Sequence, residues 1–259
     1  MNTTLAIVLP AGAVVAGVLS LAVAVLRRRC RNLGRRVEQD ARELERLQRL
    51  FSRFAPAELV ERIASEGTPA SGERRDVTVM FTDLSGFTRM SEHLDPALVI
   101  EILNGYYRAM AEVIQAHHGH VTRLMGDGIM SVFGALARDP WHVQDAVEAA
   151  IGMRAALADY NRELQARELP RLEFGIGIHA GTVVAGIVGS DELLEFTVMG
   201  DVVNVASRVE SLTRRFRTDI LISDEVKGRL GESVAVHRMP PVAIKGKTEP
   251  VVTWAVNPA

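Results

Sequence analysis

Two aspartates stand where an apolar run of the sequence meets a turn. Asp83 ends an alternating run that begins at Val77 and opens the turn Leu84-Ser-Gly-Phe-Thr88, and Asp127 lies between Gly126 and Gly128. Each pattern also has a plain structural interpretation, because Asp-x-Ser-Gly often starts a helix and Asp-Gly often forms a hairpin turn. If the two turns are neighbours in one sheet, their carboxylates meet at one edge. Such a pair could hold two divalent cations roughly 4 Å apart for in-line phosphoryl chemistry.

The turn that follows Asp83 has the composition of a phosphate-binding turn. Backbone N–H groups at a helix start can hold phosphate oxygens, and Gly86 allows the backbone to approach them closely. A carboxylate in the same turn would bring a hard cation to those phosphates.

A third polar pair follows Gly200. Asn204 and Arg208 are four residues apart, so they share one face of a predicted helix, beside an apolar stripe that includes Val205 and Val209. An amide and a guanidinium suit a sugar hydroxyl and a phosphate. The alternative is an exposed polar face without a ligand.

Four segments of the chain carry a family resemblance. They are Phe81-Thr-Asp-Leu-Ser-Gly-Phe-Thr88, Arg123-Leu-Met-Gly-Asp-Gly-Ile-Met130, Phe196-Thr-Val-Met-Gly-Asp-Val-Val-Asn-Val-Ala-Ser-Arg208 and Ile244-Lys-Gly-Lys247. Together they closely resemble the class III nucleotidyl cyclases, in order and in spacing, over residues 73–255. The resemblance implies an enzyme that turns a nucleoside triphosphate into a 3′,5′-cyclic nucleotide and pyrophosphate.

The resemblance also implies a role for each matching residue around the metals and phosphates. Asp83, Asp127 and the carbonyl of Leu84 would bind two Mg²⁺ or Mn²⁺ ions. The triphosphate would lie in the turn that contains Gly86, Phe87 and Thr88, and Lys245 would contact its terminal phosphates.

The remaining implied roles concern the sugar, the α-phosphate and the base. By similarity to the family, Asn204 orients the ribose and Arg208 stabilises charge that develops on the α-phosphate. Arg123 and Thr197 occupy the base-reading positions that a lysine and an aspartate hold in many adenylyl cyclases. Guanylyl cyclases of the family carry a glutamate at the position of Arg123, so the resemblance favours ATP, with GTP as the alternative.

Residues 191–194 depart from the family pattern. Many relatives carry an arginine in this run that binds phosphates across a subunit interface, and Asp191-Glu-Leu-Leu194 has none. Lower activity is therefore expected, and a cyclase-like module that binds nucleotide or a partner without turnover is the rival interpretation. Family members form head-to-tail homodimers in which each site takes its metal aspartates from one chain and its Asn/Arg helix from the other.

Strands and helices alternate after residue 72, which predicts an α+β fold. The order β-α-β-β-α-β indicates a ferredoxin-like sheet with helices on one face and additions at the C-terminal end. We expect one hairpin from Leu172–Ile178 and Val183–Val188, turning at His179-Ala-Gly-Thr182, and a helix that begins near Asp201.

The N-terminal end predicts a membrane anchor. Thr4 to Leu26 contains no charge and is long enough, at 1.5 Å per residue, to cross a hydrocarbon core of about 30 Å. Six arginines follow within residues 27–36, whereas a cleaved signal peptide, the alternative, has its basic residues before the apolar core. The positive-inside rule then predicts a single-pass protein of the cell (inner) membrane, anchored by residues 1–29, with the rest in the cytoplasm.

Residues 30–66 predict a helix that joins two chains. Leu33, Val37, Asp40, Leu44, Leu47, Phe51 and Phe54 follow a 4-3 spacing, which is typical of a short parallel coiled coil. An amphipathic helix packed on its own domain is the alternative. Residues 67–72 read as a linker and residues 73–259 as the catalytic domain.

Composition excludes two further classes of protein. The chain has 259 residues and one cysteine, Cys30, so it has no intrachain disulfide. After residue 36 it carries 24 basic and 32 acidic side chains, a balance that argues against nucleic acid as a partner.

Overall fold

The computed structural model describes residues 19, 21, 23, 25–29, 31–39, 41–43, 72–190, 194–231, 234–243 and 249–257. The chain divides into two compact units, Met1–Val60 and Glu61–Ala259. In the first unit, every described residue between 19 and 43 is helical. No helix within the described ranges is both long and apolar enough to cross a membrane. Most of the predicted membrane segment, and the predicted seam positions from Asp40 to Phe54, lie outside the described residues.

The second unit is an α+β domain, as the sequence predicts. The described residues of this unit form eight strands and five helices. In chain order they are β1 (Glu73–Leu84), α1 (Phe87–Ser91), α2 (Pro96–Ala116), β2 (Gly119–Met125), β3 (Gly128–Phe133), α3 (His142–Ala166), β4 (Phe174–Gly189), β5 (Leu194–Met199), α4 (Asp201–Phe216), β6 (Ile220–Ser223), α5 (Asp224–Arg229), β7 (Val236–Arg238) and β8 (Thr253–Val256).

One sheet connects all eight strands. Its order is β2-β3-β1-β4-β6-β8-β7, and β5 pairs with the C-terminal half of β4. The central pair, β1 and β4, is antiparallel along its whole length, from Glu73 opposite Ala185 to Leu84 opposite Phe174. Elements β1-α2-β2-β3-α3-β4 confirm the predicted β-α-β-β-α-β order, and the segments after β4 are the predicted additions.

The two faces of the sheet pack against different helices. Side chains such as Met80 and Ile178 join Tyr106 of α2 and Met153 of α3 in the larger core. Val79, on the opposite face, joins Val132 of β3 and Ala206 of α4 in a second cluster. The expectation of helices on one face therefore holds for α2 and α3, while α4 covers the other face.

The hairpin predicted within residues 172–188 is wrong. Residues 174–189 form one continuous strand, and His179–Thr182, the expected turn, pair with Val79–Asp76 of β1. Gly181 serves close packing here, because a β-carbon at this position would lie 2.9 Å from a methyl group of Val202 in α4. The hairpin partner of β4 is β5, with Val184 opposite Met199 and Gly189 opposite Leu194.

Candidate active site

Asp83 and Asp127 meet at one edge of the sheet. Asp83 is the penultimate residue of β1, and Asp127 lies in the turn between β2 and β3. Because β3 pairs with β1, this turn lies beside the end of β1. The two turns are close, since a β-carbon on Gly128 would lie 3.4 Å from Oδ1 of Asp83. The hydroxyl of Tyr107 donates to the carbonyl of Gly126, which ties this turn to α2.

The local electrostatics of this edge favour a cation. Burial raises the pKa of Asp83, the negative charge of Asp127 raises it further, and Arg214 opposes both effects. Two neighbouring carboxylates that repel each other in a half-buried position suit divalent cations, which prefer oxygen ligands. The residues present therefore fit the metal site that the motifs predict.

The turn after Asp83 presents backbone donors toward the same edge. Gly86 has φ +71°, a left-handed conformation that glycine adopts without strain, and α1 starts directly after it. The N–H of Ser85 is already used, since it donates to the carbonyl of Glu173 at 2.7 Å. The first N–H groups of α1, including those of Phe87 and Thr88, have no acceptor within the helix. Phe87 and Leu84 are buried, so packing holds the turn in place.

The side chain of Arg123 on β2 forms an ion pair with Glu195 on β5. Its Nε and Nη2 donate to Oε1 of Glu195 at 3.0 and 2.7 Å, and Nη2 also donates to Oε2 at 2.8 Å. Side chains two residues apart in a strand point to the same face, so Thr197 shares the face of Glu195. The two predicted base-reading residues, Arg123 and Thr197, thus border one surface.

Asn204 and Arg208 lie on α4, which crosses β4 at glycines. A β-carbon on Gly177 would overlap the backbone of Glu210, so only glycine allows the helix this close. Asn204 is exposed, whereas Nη1 of Arg208 is buried and has no acceptor among the described residues. A buried donor without a partner is costly, and a ligand phosphate would satisfy it.

The C-terminal half of α4, rather than Asn204 and Arg208, faces Asp83 in the same chain. Arg214 forms an ion pair with Oδ2 of Asp83. At 1.5 Å per residue, Arg208 and Asn204 stand about 9 and 15 Å back along the helix axis from Arg214. The chain thus brings Asp83 to Asp127, and Arg123 to the face of Thr197, but it separates the Asn/Arg pair from the carboxylates. Lys245 lies outside the described residues.

Three residues of this region were missed from sequence. Glu195 has one sequence signal, because its position two residues before Thr197 places both side chains on one face of the strand. The spacing of Arg214 from Arg208 gives no such signal, because six residues place it about 120° around the helix. Glu210 is buried on α4, and burial, followed by the charge of Asp83, raises its pKa to about 7. Its spacing from Arg214 (i, i+4) would have suggested a pair, but nothing in the sequence indicates that both approach Asp83.

A second group of possible metal ligands stands elsewhere in the domain. Among the described residues, ligand atoms of His118, Asp139 and Asp145 lie within 4.8 Å of one another. Nδ1 of His118 is 3.1 Å from Oδ2 of Asp145, which accounts for this contact as a hydrogen bond. None of the three belongs to the edge where Asp83 and Asp127 meet.

The fold and the carboxylate edge define a domain suited to metal-dependent phosphate chemistry, and comparison with known proteins names its class. The model of the adenylate and guanylate cyclase catalytic domain family matches residues 70–258, and the chain belongs to that family. The resemblance drawn from the four sequence segments is thereby confirmed.

Two curated relatives illustrate the similarity in sequence. The adenylate cyclase of Anabaena cylindrica is 37% identical over 218 residues, which is 80% of this chain and 42% of the relative. Adenylate cyclase 1 of Rhizobium meliloti (strain 1021) is 34% identical over 200 residues, or 76% of this chain and 30% of the relative. The chain therefore spans less than half the length of either relative.

Two solved structures illustrate the similarity in fold. The guanylyl cyclase Cya2 is 38% identical, with a TM-score of 0.68 over 72% of this chain and 93% of that chain. The adenylyl cyclase CyaB from P. aeruginosa is 28% identical, with a TM-score of 0.67 over 72% of this chain and 96% of that chain.

Proposed function

We propose that this protein is an adenylate cyclase that converts ATP to 3′,5′-cyclic AMP and pyrophosphate. The observation that carries the proposal is the meeting of Asp83 and Asp127 beside a turn whose first helical N–H groups have no acceptor within the helix. Curated relatives named adenylate cyclase, at 34 and 37% identity, support ATP as the substrate.

Asp83, Asp127 and the carbonyl of Leu84 would hold two Mg²⁺ or Mn²⁺ ions in this proposal. Bound metal would make the ribose 3′-hydroxyl more acidic and offset the charge of the triphosphate. The N–H groups of the turn at Gly86, Phe87 and Thr88 would position the phosphates in line with the attacking oxygen.

Residues of α4 and Lys245 would bind the ribose and the phosphates from the side opposite the metal ions. Asn204 would accept and donate hydrogen bonds at the ribose, which orients the 3′-oxygen toward the α-phosphate. Nη1 of Arg208, which has no acceptor among the described residues, would donate to the α-phosphate, where negative charge increases during attack. Lys245 would contact the terminal phosphates, and its charge would stabilise the departing pyrophosphate.

The base would be read by Arg123 and Thr197. Arg123 can donate to adenine N1, and Thr197 can accept from the adenine amino group. With guanine, the N1–H and the N–H of Arg123 are both donors, so they could not form a hydrogen bond with each other. An unmet donor costs about 1–3 kcal/mol, or roughly one to two orders of magnitude in preference. GTP is the second candidate substrate, because Arg123 can also meet guanine O6 and N7 and the 38% identical Cya2 is a guanylyl cyclase.

A homodimer with shared sites is part of the proposal. The separation of Asn204 and Arg208 from Asp83 within one chain supports it, because a complete site then needs the helix of a second chain. Leu33 and Val37, the first two positions of the predicted seam, are exposed in the single chain and available to a partner. We further propose that residues 1–29 anchor the protein in the inner membrane, residues 30–66 pair two chains, and residues 73–259 lie in the cytoplasm.

An assay of the full chain with ATP or GTP and Mn²⁺, with the cyclic product as readout, tests this function. We expect cyclic AMP to form, with kcat/KM for ATP above that for GTP by one to two orders of magnitude. A higher kcat/KM for GTP would replace ATP by GTP as substrate. No cyclic product from either nucleotide, with nucleotide binding retained, would favour the rival binding module.

A further inference from the structure

A cavity of about 510 Å³ opens behind the phosphate turn, outside the groups assigned above to substrate. Its walls include Ser85 of the turn, Arg171 and Glu173 of the segment before β4, and Arg214 and Arg217 at the end of α4. The volume is in the range of small-molecule sites.

The charges that line this cavity are unbalanced. Arg154 uses four of its five N–H groups, because it donates to both carboxylate oxygens of Asp219 at 2.6 and 3.0 Å and to the carbonyls of Val256 and Asn257. Arg171 and Arg217 have no acceptor among the described residues, and Glu173 is the one acidic side chain of the lining apart from Asp219. Arg214 is paired with Asp83, so Arg171 and Arg217 are the two guanidinium groups of the described lining without an acceptor, and the lining sets one carboxylate, that of Glu173, against them.

We propose that this cavity binds a diphosphate anion, with Arg171, Arg214 and Arg217 as its ligands. A guanidinium presents a planar fork of donors that matches phosphate oxygens. A single phosphate meets one or two such forks, whereas a diphosphate places two phosphoryl groups and more charge against arginines on separate walls. Inorganic pyrophosphate is the simplest member of this class.

The same cavity is linked to the metal edge through Arg214. This side chain lines the cavity and also forms the ion pair with Asp83. An anion that draws Arg214 into the cavity therefore removes the positive charge from Asp83. Linkage requires the reverse as well, so loss of the Asp83 charge strengthens anion binding. The meaning of this link for metal binding rests on the proposed function, whereas anion binding itself does not.

Calorimetric titration of the metal-free full chain with pyrophosphate, and separately with inorganic phosphate, tests the site. We expect pyrophosphate to bind more tightly than phosphate, and the Arg171→Ala/Arg217→Ala variant to lose about tenfold or more in pyrophosphate affinity. Arg162→Ala is the control, because that exposed arginine pairs only with Asp159 on α3 among the described residues. Unchanged pyrophosphate affinity in the double variant would overturn the site. Equal affinity for phosphate and pyrophosphate would overturn the diphosphate assignment.

A double-mutant cycle tests the link to Asp83. We expect Asp83→Asn to tighten pyrophosphate binding several-fold, and to have no effect when Arg214→Ala is already present. Equal tightening in both backgrounds would mean that Asp83 acts by general repulsion, and the link through Arg214 would be wrong. These titrations involve no turnover, so a chain that binds pyrophosphate at these arginines but forms no cyclic nucleotide contradicts the proposed function alone.

Discussion

Arg123 of β2 and Glu195 of β5 form a two-pronged ion pair although three strands separate them in the sheet. The order between them is β3, β1 and β4, so the sheet must curve strongly for both strands to border one concave face. The contact holds the guanidinium of Arg123 on the face that also carries Thr197. Glu195 is thus a positioning residue for the group proposed to read the base.

Replacement of Glu195 by glutamine should affect nucleotide recognition rather than the chemical step. A neutral amide has only one oxygen acceptor and no negative charge, so it holds Nε and Nη2 of Arg123 less firmly than the carboxylate does. We therefore expect KM for ATP to rise about tenfold with little change in kcat. Glu195→Asp should restore part of the loss. Glu101→Gln, which removes an exposed ion pair between α2 and Arg167 just after α3, is the control. A fall in kcat at constant KM would contradict a positioning role.

Either metal carboxylate should be essential for turnover. Asp83→Ala and Asp127→Ala each remove a proposed metal ligand without loss of core volume, so the fold should persist while kcat falls by about 100-fold or more. Cyclic nucleotide formation measures the loss, and thermal unfolding checks the fold. Activity above about a tenth of wild type in either variant would exclude the two-metal assignment.

Two inactive variants should complement each other. A mixture of Asp83→Ala and Arg208→Ala chains contains mixed dimers, in which one of the two shared sites keeps all its groups. We therefore expect activity to reappear on mixing, up to about a quarter of wild type for random pairing of equal amounts, since half the dimers then carry one intact site. Native mass spectrometry would establish that the mixed dimers form, and their formation without any activity would argue against shared sites.

The buried carboxyl of Glu210 should make stability depend on pH in a defined direction. Its pKa is raised from 4.5 to about 7, mainly by burial. Between these values the unfolded chain releases the proton while the folded chain keeps it, so stability falls as pH rises and then levels off above pH 7. The Glu210→Gln variant has no titrating carboxyl at this position, so its stability does not fall with pH for this reason. We expect the variant to gain up to roughly 3 kcal/mol over wild type between pH 4.5 and 8, measured by denaturant unfolding of the metal-free protein. A constant difference across that range would show that Glu210 does not titrate with a raised pKa.

The close approach of α4 to β4 should be sensitive to one methyl group. Gly177→Ala would place a β-carbon against the backbone of Glu210, so the helix must shift, at a cost of about 1–3 kcal/mol. Gly228→Ala is the matched control, because nothing lies within 4 Å of its β-carbon position. We expect a lower melting temperature for the first variant only. Equal melting temperatures for the two variants would mean that α4 does not pack against Gly177 in this way.

Local chemistry accounts for what could be predicted about the site. Asp83 and Gly86 belong to one turn, and Asn204 and Arg208 lie one helical turn apart. Their types and spacing therefore make them candidate site residues without a structure. The order of strands and helices was also readable, because apolar periodicity and caps such as Asp95, whose carboxylate accepts from Ala97, are encoded within a few residues.

The long strand β4 shows where local patterns fail. His179-Ala-Gly-Thr182 has the residues of a turn, yet β1 offers a continuous row of backbone partners and α4 needs the space above Gly181. Tertiary pairing therefore outweighs the local turn preference.

The sequence by itself determined the chemical groups of this protein: two carboxylates, a glycine-containing turn at a helix start and an amide–guanidinium helix face. The tertiary structure alone decided their partners. Arg123 meets Glu195 across 72 positions, and Arg214 meets Asp83 across 131. Such contacts arise from the curvature of the sheet and from the glycines that let α4 lie against it. The local spacing of residues in the sequence does not predict these contacts, because they result from the packing of the whole domain.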